Sequence, residues 1–113
     1  MKVAVIGSRN LCVENLEDYI PQNCTEIVSG GAKGVDSSAA QFAKSRALKL
    51  TEFLPQYSVY GKAAPIVRNK QIVDYADCVL AFWDGVSKGT HSAIRYCEKL
   101  GKPCKVVSTR QEI

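Results

Sequence analysis

Three turns in this chain combine glycine with a cationic side chain and a hydroxyl, which is the chemistry of an oxyanion grip. They are Gly7-Ser8-Arg9, the Ser29-Gly30-Gly31-Ala32-Lys33-Gly34 stretch and Ser87-Lys88-Gly89-Thr90. Glycine lets backbone N–H groups approach a ligand closely, and a helix starting there leaves its first N–H donors unpaired. Arg9 adds a planar fork suited to phosphate or carboxylate. The spacing matches neither the G-x-x-x-x-G-K-[ST] of a nucleoside-triphosphate loop nor the G-x-G-x-x-G of a dinucleotide fold. The expected ligand is an anionic small molecule, best fitted by a nucleotide phosphate.

Other residues widen the constellation. Asp36 follows the glycine-rich turn and is suited either to receiving ribose hydroxyls or to capping the next helix. Arg68-Asn69 reads as a further binding pair or as solvated first-turn polarity. Asp84, at the end of an apolar run with Trp83, faces either the ligand or the solvent. Asp36, Asp84 and His91 are the candidates for acid–base catalysis. His91 has no evident carboxylate partner and is expected to be a bystander. Tyr57 and Tyr60, in the irregular stretch 55–64, would stack on a base or pack that loop down.

Elements that alternate along the chain must position these residues. Strands are expected at 3–6, Glu26–Ser29, 49–54, Cys78–Trp83 and Cys104–Ser108. The first, fourth and fifth are nearly continuous apolar runs, as in parallel strands covered on both faces; the third mixes polar residues and reads as an edge. Helices are expected at 14–20, 35–47, 65–75 and 90–100, with Ile66, Ile72, Val73, Ala47 and Leu100 among the inward positions. Gly101 and Pro103 end the last helix. This order predicts a parallel α/β sheet with helices on both faces. All three glycine turns fall at carboxyl ends of strands, where such sheets bind ligands.

Composition limits the alternatives. At 113 residues one core is expected, and no apolar run is long enough to span a bilayer. The N-terminus reads as a strand rather than a signal peptide, so a cytoplasmic location and no membrane partner are expected. The five cysteines, Cys12, Cys24, Cys78, Cys97 and Cys104, show no C-x-x-C spacing and read as reduced, packed thiols. No metal site is expected. A net charge of +4 suits an anionic ligand but is mild for a dedicated nucleic-acid binder.

At Gly7-Ser8-Arg9, the Ser29–Asp36 string, Arg68-Asn69 and Ser87–Thr90, in that order, the chain resembles the SLOG superfamily. That group includes the Rossmann domain of DNA-processing protein A, the lonely-guy phosphoribohydrolases and the YpsA-related ligand-binding proteins; this chain is most similar to the stand-alone YpsA-related branch. The resemblance implies a single Rossmann-like three-layer domain over residues 1–113, with a five-stranded, mostly parallel sheet in the order 3-2-1-4-5. It also implies a nucleotide-type ligand and frequent homodimers. Two further activities follow from relatives: hydrolysis of an N-glycosidic bond, and single-stranded DNA binding. The phosphoribohydrolases carry Pro-Gly-Gly-x-Gly-Thr-x-x-Glu, whereas here Ala93 takes the place of the glutamate and the Pro-Gly-Gly is missing.

Overall fold

The computed structural model of the protein describes residues 1–108; residues 109–113 of the expected domain lie outside them. Five strands form one sheet: β1 (Lys2–Gly7), β2 (Glu26–Ser29), β3 (Lys49–Glu52), β4 (Cys78–Trp83) and β5 (Cys104–Ser108). They are ordered β3-β2-β1-β4-β5, and every pairing is parallel. The helices are α1 (Val35–Ser45), a four-residue α2 (Tyr57–Tyr60), α3 (Ala64–Tyr75) and α4 (Lys88–Leu100). The arrangement is Rossmann-like.

Strand periodicity divides the core into two layers. Val3 and Val5 of β1 join Ile27, Leu80 and Phe82 against Val35, Ala39 and Ala43 of α1. Ala4 and Ile6 point the other way and join Val28, Val79 and Ala81 against Ile72 and Val73 of α3 and Ala93, Ile94 and Cys97 of α4. Successive side chains of a strand face opposite sides, so continuous apolar runs in β1 and β4 are what two covered faces require. After β2 and β3 add on one side of β1, the chain crosses back and places β4 on the other. The strand order therefore reverses between β1 and β4, at the crevice where such folds bind ligands.

The amino ends of the strands are tied down separately. Glu26 is buried and accepts hydrogen bonds from Tyr75 OH at 2.6 Å and Thr51 Oγ1 at 2.7 Å. The Tyr75 bond, with that of Thr51, holds its carboxyl below the usual range. Asp77 accepts the Lys2 backbone N–H at 2.7 Å.

Several expectations are corrected. The helix expected at 14–20 is only a 3₁₀ turn, Leu16–Asp18, with Leu16 its buried residue. So short a segment forms one turn more readily than a helix, whose nucleation is costly. The stretch 55–64 is not irregular, since it contains α2 and a 3₁₀ turn at Gly61–Ala63. β5 is an edge strand with Lys105 and Val106 exposed, rather than covered on both faces. Ile66 and Leu100 are about half exposed and Ala47 lies beyond the end of α1 at positive φ, so these three are not core positions. The thiols of Cys24 and Cys97 are buried, those of Cys78 and Cys104 half-buried, and that of Cys12 exposed. Among the described residues no helix is long and apolar enough to cross a membrane.

Candidate functional site

The first two glycine turns meet because their backbones lean on one another. Gly34 has φ +72, a conformation glycine adopts freely, and a Cβ there would collide with the carbonyls of Ser8 and Arg9. The first and second turns are thereby packed together, with Val35 N–H pointing at Ser8 O from 3.5 Å. Ser8 N–H donates to Phe82 O at 3.3 Å, fixing the first turn to the end of β4.

Arg68 and Asn69 connect the second turn to the third. Arg68 projects from α3 and is 7% exposed. Its Nη1 donates to Gly30 O at 2.8 Å and its Nε to Asn69 Oδ1 at 2.9 Å. Asn69 Nδ2 in turn points at Gly89 O from 3.5 Å. Gly30 has to be glycine for this to fit: a Cβ would stand 2.6 Å from Arg68 Nη1 and 3.0 Å from Asp36 Oδ2.

Between these groups lies a cleft of about 350 Å³ at the carboxyl ends of β1 and β2, walled by α3 and the start of α4. Gly7, Arg9, Gly30, Asp36, Arg68, Asn69, Ser87, Gly89 and Thr90, each expected from the sequence, line it. Arg68 Nη2 takes part in no hydrogen bond among the described residues and is not sealed from the cleft. Thr90 is 6% exposed, and its hydroxyl likewise has no partner and is not sealed off. The N–H groups of Lys88, Gly89 and Thr90, in the first turn of α4, have no backbone partners; the first bond there runs from His91 N–H to Ser87 O. Unpaired helix N–H groups carry partial positive charge. The cleft thus presents several unspent donors, and Asp36 is the one carboxylate among the described residues that line it.

The charges fit that description. Burial raises the Asp36 carboxyl above its ordinary range, while the Ala32 N–H on Oδ2 at 3.0 Å and the Arg68 charge offset part of the effect. Burial lowers the Arg68 guanidinium, Asp36 counters this, and the nearby positive charge of Arg9 adds to it. Two guanidiniums and one carboxyl therefore share the cleft, leaving it net positive.

Other expected residues sit elsewhere. Lys33, Gly31 and Lys88 are exposed, and neither they nor Gly34 line the cleft. Ser8 is buried outside the lining, and its Oγ has no hydrogen-bond partner; it adds only a weak pull on Asp84 without reaching hydrogen-bond geometry. Asp84 is occupied locally, its Oδ1 accepting Val86 N–H at 2.9 Å and Ser87 N–H at 2.8 Å, which lowers its pKa. His91 stacks on Trp83, with ring centroids 5.2 Å apart, outside the cleft lining. Asp36 lies within α1 rather than at its N-cap, which is Gly34. Ser87 holds the N-cap position of α4 but makes no side-chain cap bond.

Sequence reasoning missed Asn10 and the apolar wall formed by Ile6, Pro65 and Ile72. Ile72 was readable as the residue one helical turn beyond Arg68. Ala93, which stands where the phosphoribohydrolases have glutamate, is part of the same wall. No protein-family model matches the chain, and no curated protein matches it.

Proposed function

We propose that the cleft binds a nucleotide or nucleotide-derived phosphorylated ligand, with its phosphate at the N-terminus of α4. The observation that carries this reading is the convergence of unspent donors on one spot. Arg68 Nη2, the Thr90 hydroxyl and the N–H groups of Gly89 and Thr90 belong to residues that line the cleft and are all without partners. Neither side-chain donor is sealed from water, so each contributes the net of exchanging water for a charged oxyanion, about 1.5–3 kcal/mol. Arg9, exposed at the rim, adds charge at the entrance. Asp36 lies in the same cleft and supplies the acceptor for a sugar hydroxyl, with Oδ2 already steadied by Ala32.

Charge-assisted contacts contribute about 1.5–3 kcal/mol each. Two or three of them total roughly 3–9 kcal/mol, a range that runs from millimolar to micromolar affinity. Calorimetry with nucleoside monophosphates, NAD and ADP-ribose tests this. Heat is expected with at least one of them, weakened about tenfold by Thr90→Val, and no heat with any would remove the proposal. Hydrolysis of an N-glycosidic bond is not favoured, because Ala93 leaves the wall without the carboxylate that the resemblance would require, and Asp36 is the cleft's lone acid.

A further inference from the structure

A chain of contacts sets an order along the cleft wall. Asp36 Oδ2 lies 3.0 Å from where a Cβ on Gly30 would stand, and Arg68 Nη1 donates to Gly30 O at 2.8 Å. Arg68 Nε reaches Asn69 Oδ1 at 2.9 Å, and Asn69 Nδ2 points at Gly89 O from 3.5 Å. Asp36 therefore marks one end of the site, Arg68 the middle and the first turn of α4 the other end. The carboxylate and the guanidinium are 8% and 7% exposed and flank Gly30, yet no ion pair joins them among the described residues. Buried charges ordinarily pair with each other; here each keeps an edge for something else.

Oδ1 of Asp36 accepts no hydrogen bond among the described residues and is not sealed off, while Oδ2 takes the Ala32 N–H at 3.0 Å. The Ser29 hydroxyl lends only a minor pull. An ionised carboxylate accepts and never donates, so Oδ1 suits a ligand hydroxyl. A phosphate oxygen there would meet a like charge in a site largely withdrawn from water, where repulsion is screened little. The Ala32 N–H and the Arg68 charge both favour the ionised form against the burial that opposes it. The polarity of the ligand follows: oxyanion towards Thr90 and the start of α4, hydroxyls towards Asp36.

We propose that Asp36 is a specificity-determining residue: it admits 5′-phosphorylated ribonucleotides with free sugar hydroxyls and turns away those whose hydroxyls are missing or phosphorylated. The inference rests on the nucleotide reading of the cleft and adds to it the class of nucleotide. It also separates a mononucleotide from a nucleic-acid strand, in which each internal sugar carries a phosphate on its 3′ oxygen. Such a phosphate would fall at the acidic end.

Calorimetry on the wild type and Asp36→Asn tests it, with AMP, dideoxy-AMP lacking both sugar hydroxyls, and adenosine 3′,5′-bisphosphate. The wild type is expected to bind AMP about 10- to 150-fold more tightly than dideoxy-AMP, through one charge-assisted contact. It should also prefer AMP to the bisphosphate, the reverse of what a net positive cleft gives if charge alone matters. Asp36→Asn removes the like charge but keeps an acceptor, so the bisphosphate should overtake AMP. A merely structural Asp36 would weaken all three ligands alike. Equal binding of AMP and dideoxy-AMP by the wild type, or a bisphosphate bound as tightly as AMP, would overturn the role of Asp36 but leave the phosphate subsite standing. A preference for AMP over the bisphosphate that survives Asp36→Asn would overturn it too. Binding of none of the three would overturn both readings. If Asp36→Asn does not fold, the wild-type series decides by itself.

Discussion

Gly30→Ala places a methyl group at the junction of the second turn, Arg68 and Asp36. The added Cβ would lie 2.6 Å from Arg68 Nη1, 3.0 Å from its Cζ and 3.0 Å from Asp36 Oδ2, all tighter than van der Waals contact. The backbone itself tolerates alanine, because Gly30 is not among the positive-φ glycines. The guanidinium must therefore move, and it is pinned by Gly30 O and Asn69. Overpacking costs about 1–3 kcal/mol. The Nη1 bond to Gly30 O, worth about 1.5–3 kcal/mol, is what yields if the side chain swings away, so the two figures are alternatives and not a sum. A fall in stability of about 1–3 kcal/mol is expected, read as a lower urea midpoint at unchanged slope or a Tm roughly 4–15 °C lower. Nucleotide affinity should fall about 10- to 150-fold through loss of one charge-assisted contact. Gly89→Ala is the matched control: its Cβ meets only Asn69 Nδ2 at 4.0 Å, and the helix should gain up to about 1 kcal/mol. Gly30→Ala with the stability and affinity of the wild type would refute the claim that Arg68 is held by the second turn.

Further outcomes are expected. Ser8→Ala removes a buried hydroxyl that has no partner, so stability should be unchanged or rise by up to about 1 kcal/mol, with nucleotide affinity unaltered; urea unfolding and calorimetry read both. Glu26 has its pKa lowered in the fold, chiefly by Tyr75, so its contribution is fully present above the unfolded value near 4.5 and is lost as the pH falls through the folded value. Tyr75→Phe should therefore be destabilising at pH 7, with the gap from the wild type closing as the pH falls below 4.5, in stability measured against pH. Asp36 has the opposite sign. Its raised pKa means that the folded state binds the proton more tightly, so stability declines as the pH rises from the unfolded value, 3.8, through the folded one, and Asp36→Asn should remove that decline.

The strands were legible because buried parallel strands write themselves as apolar runs, and the glycine turns because backbone close approach admits few other residues. The alternation of Val3 and Val5 with Ala4 and Ile6 followed from the same pattern, whereas the strand order was an expectation of the resemblance and not of the apolar runs. What failed was short or doubly readable. A single turn at Leu16 has too few residues to distinguish a 3₁₀ turn from a helix, and β5 is apolar although it lies at an edge. At the site, residue type identified Arg9, Gly30, Arg68 and Thr90, but the choice among carboxylates depended on local backbone conformation. Asp84 precedes Gly85, and that pair signalled a turn in which the carboxylate bonds to its own backbone. Lys33 and Lys88 have the right charge, but neither lines the cleft, whereas Arg68, buried on α3, does.

The central claim is that the turns after β1 and β2 and the start of α4 form one donor-lined cradle for a phosphorylated ligand. The most direct test follows the backbone amides by ¹H–¹⁵N NMR while AMP is added. The account predicts concerted, saturable shifts at Arg9, Gly30, Lys88, Gly89 and Thr90, with amides at the opposite end of the sheet, such as Thr25 and Asp77, unmoved. Saturable shifts confined to another surface, or none at these five residues at millimolar AMP, would contradict it.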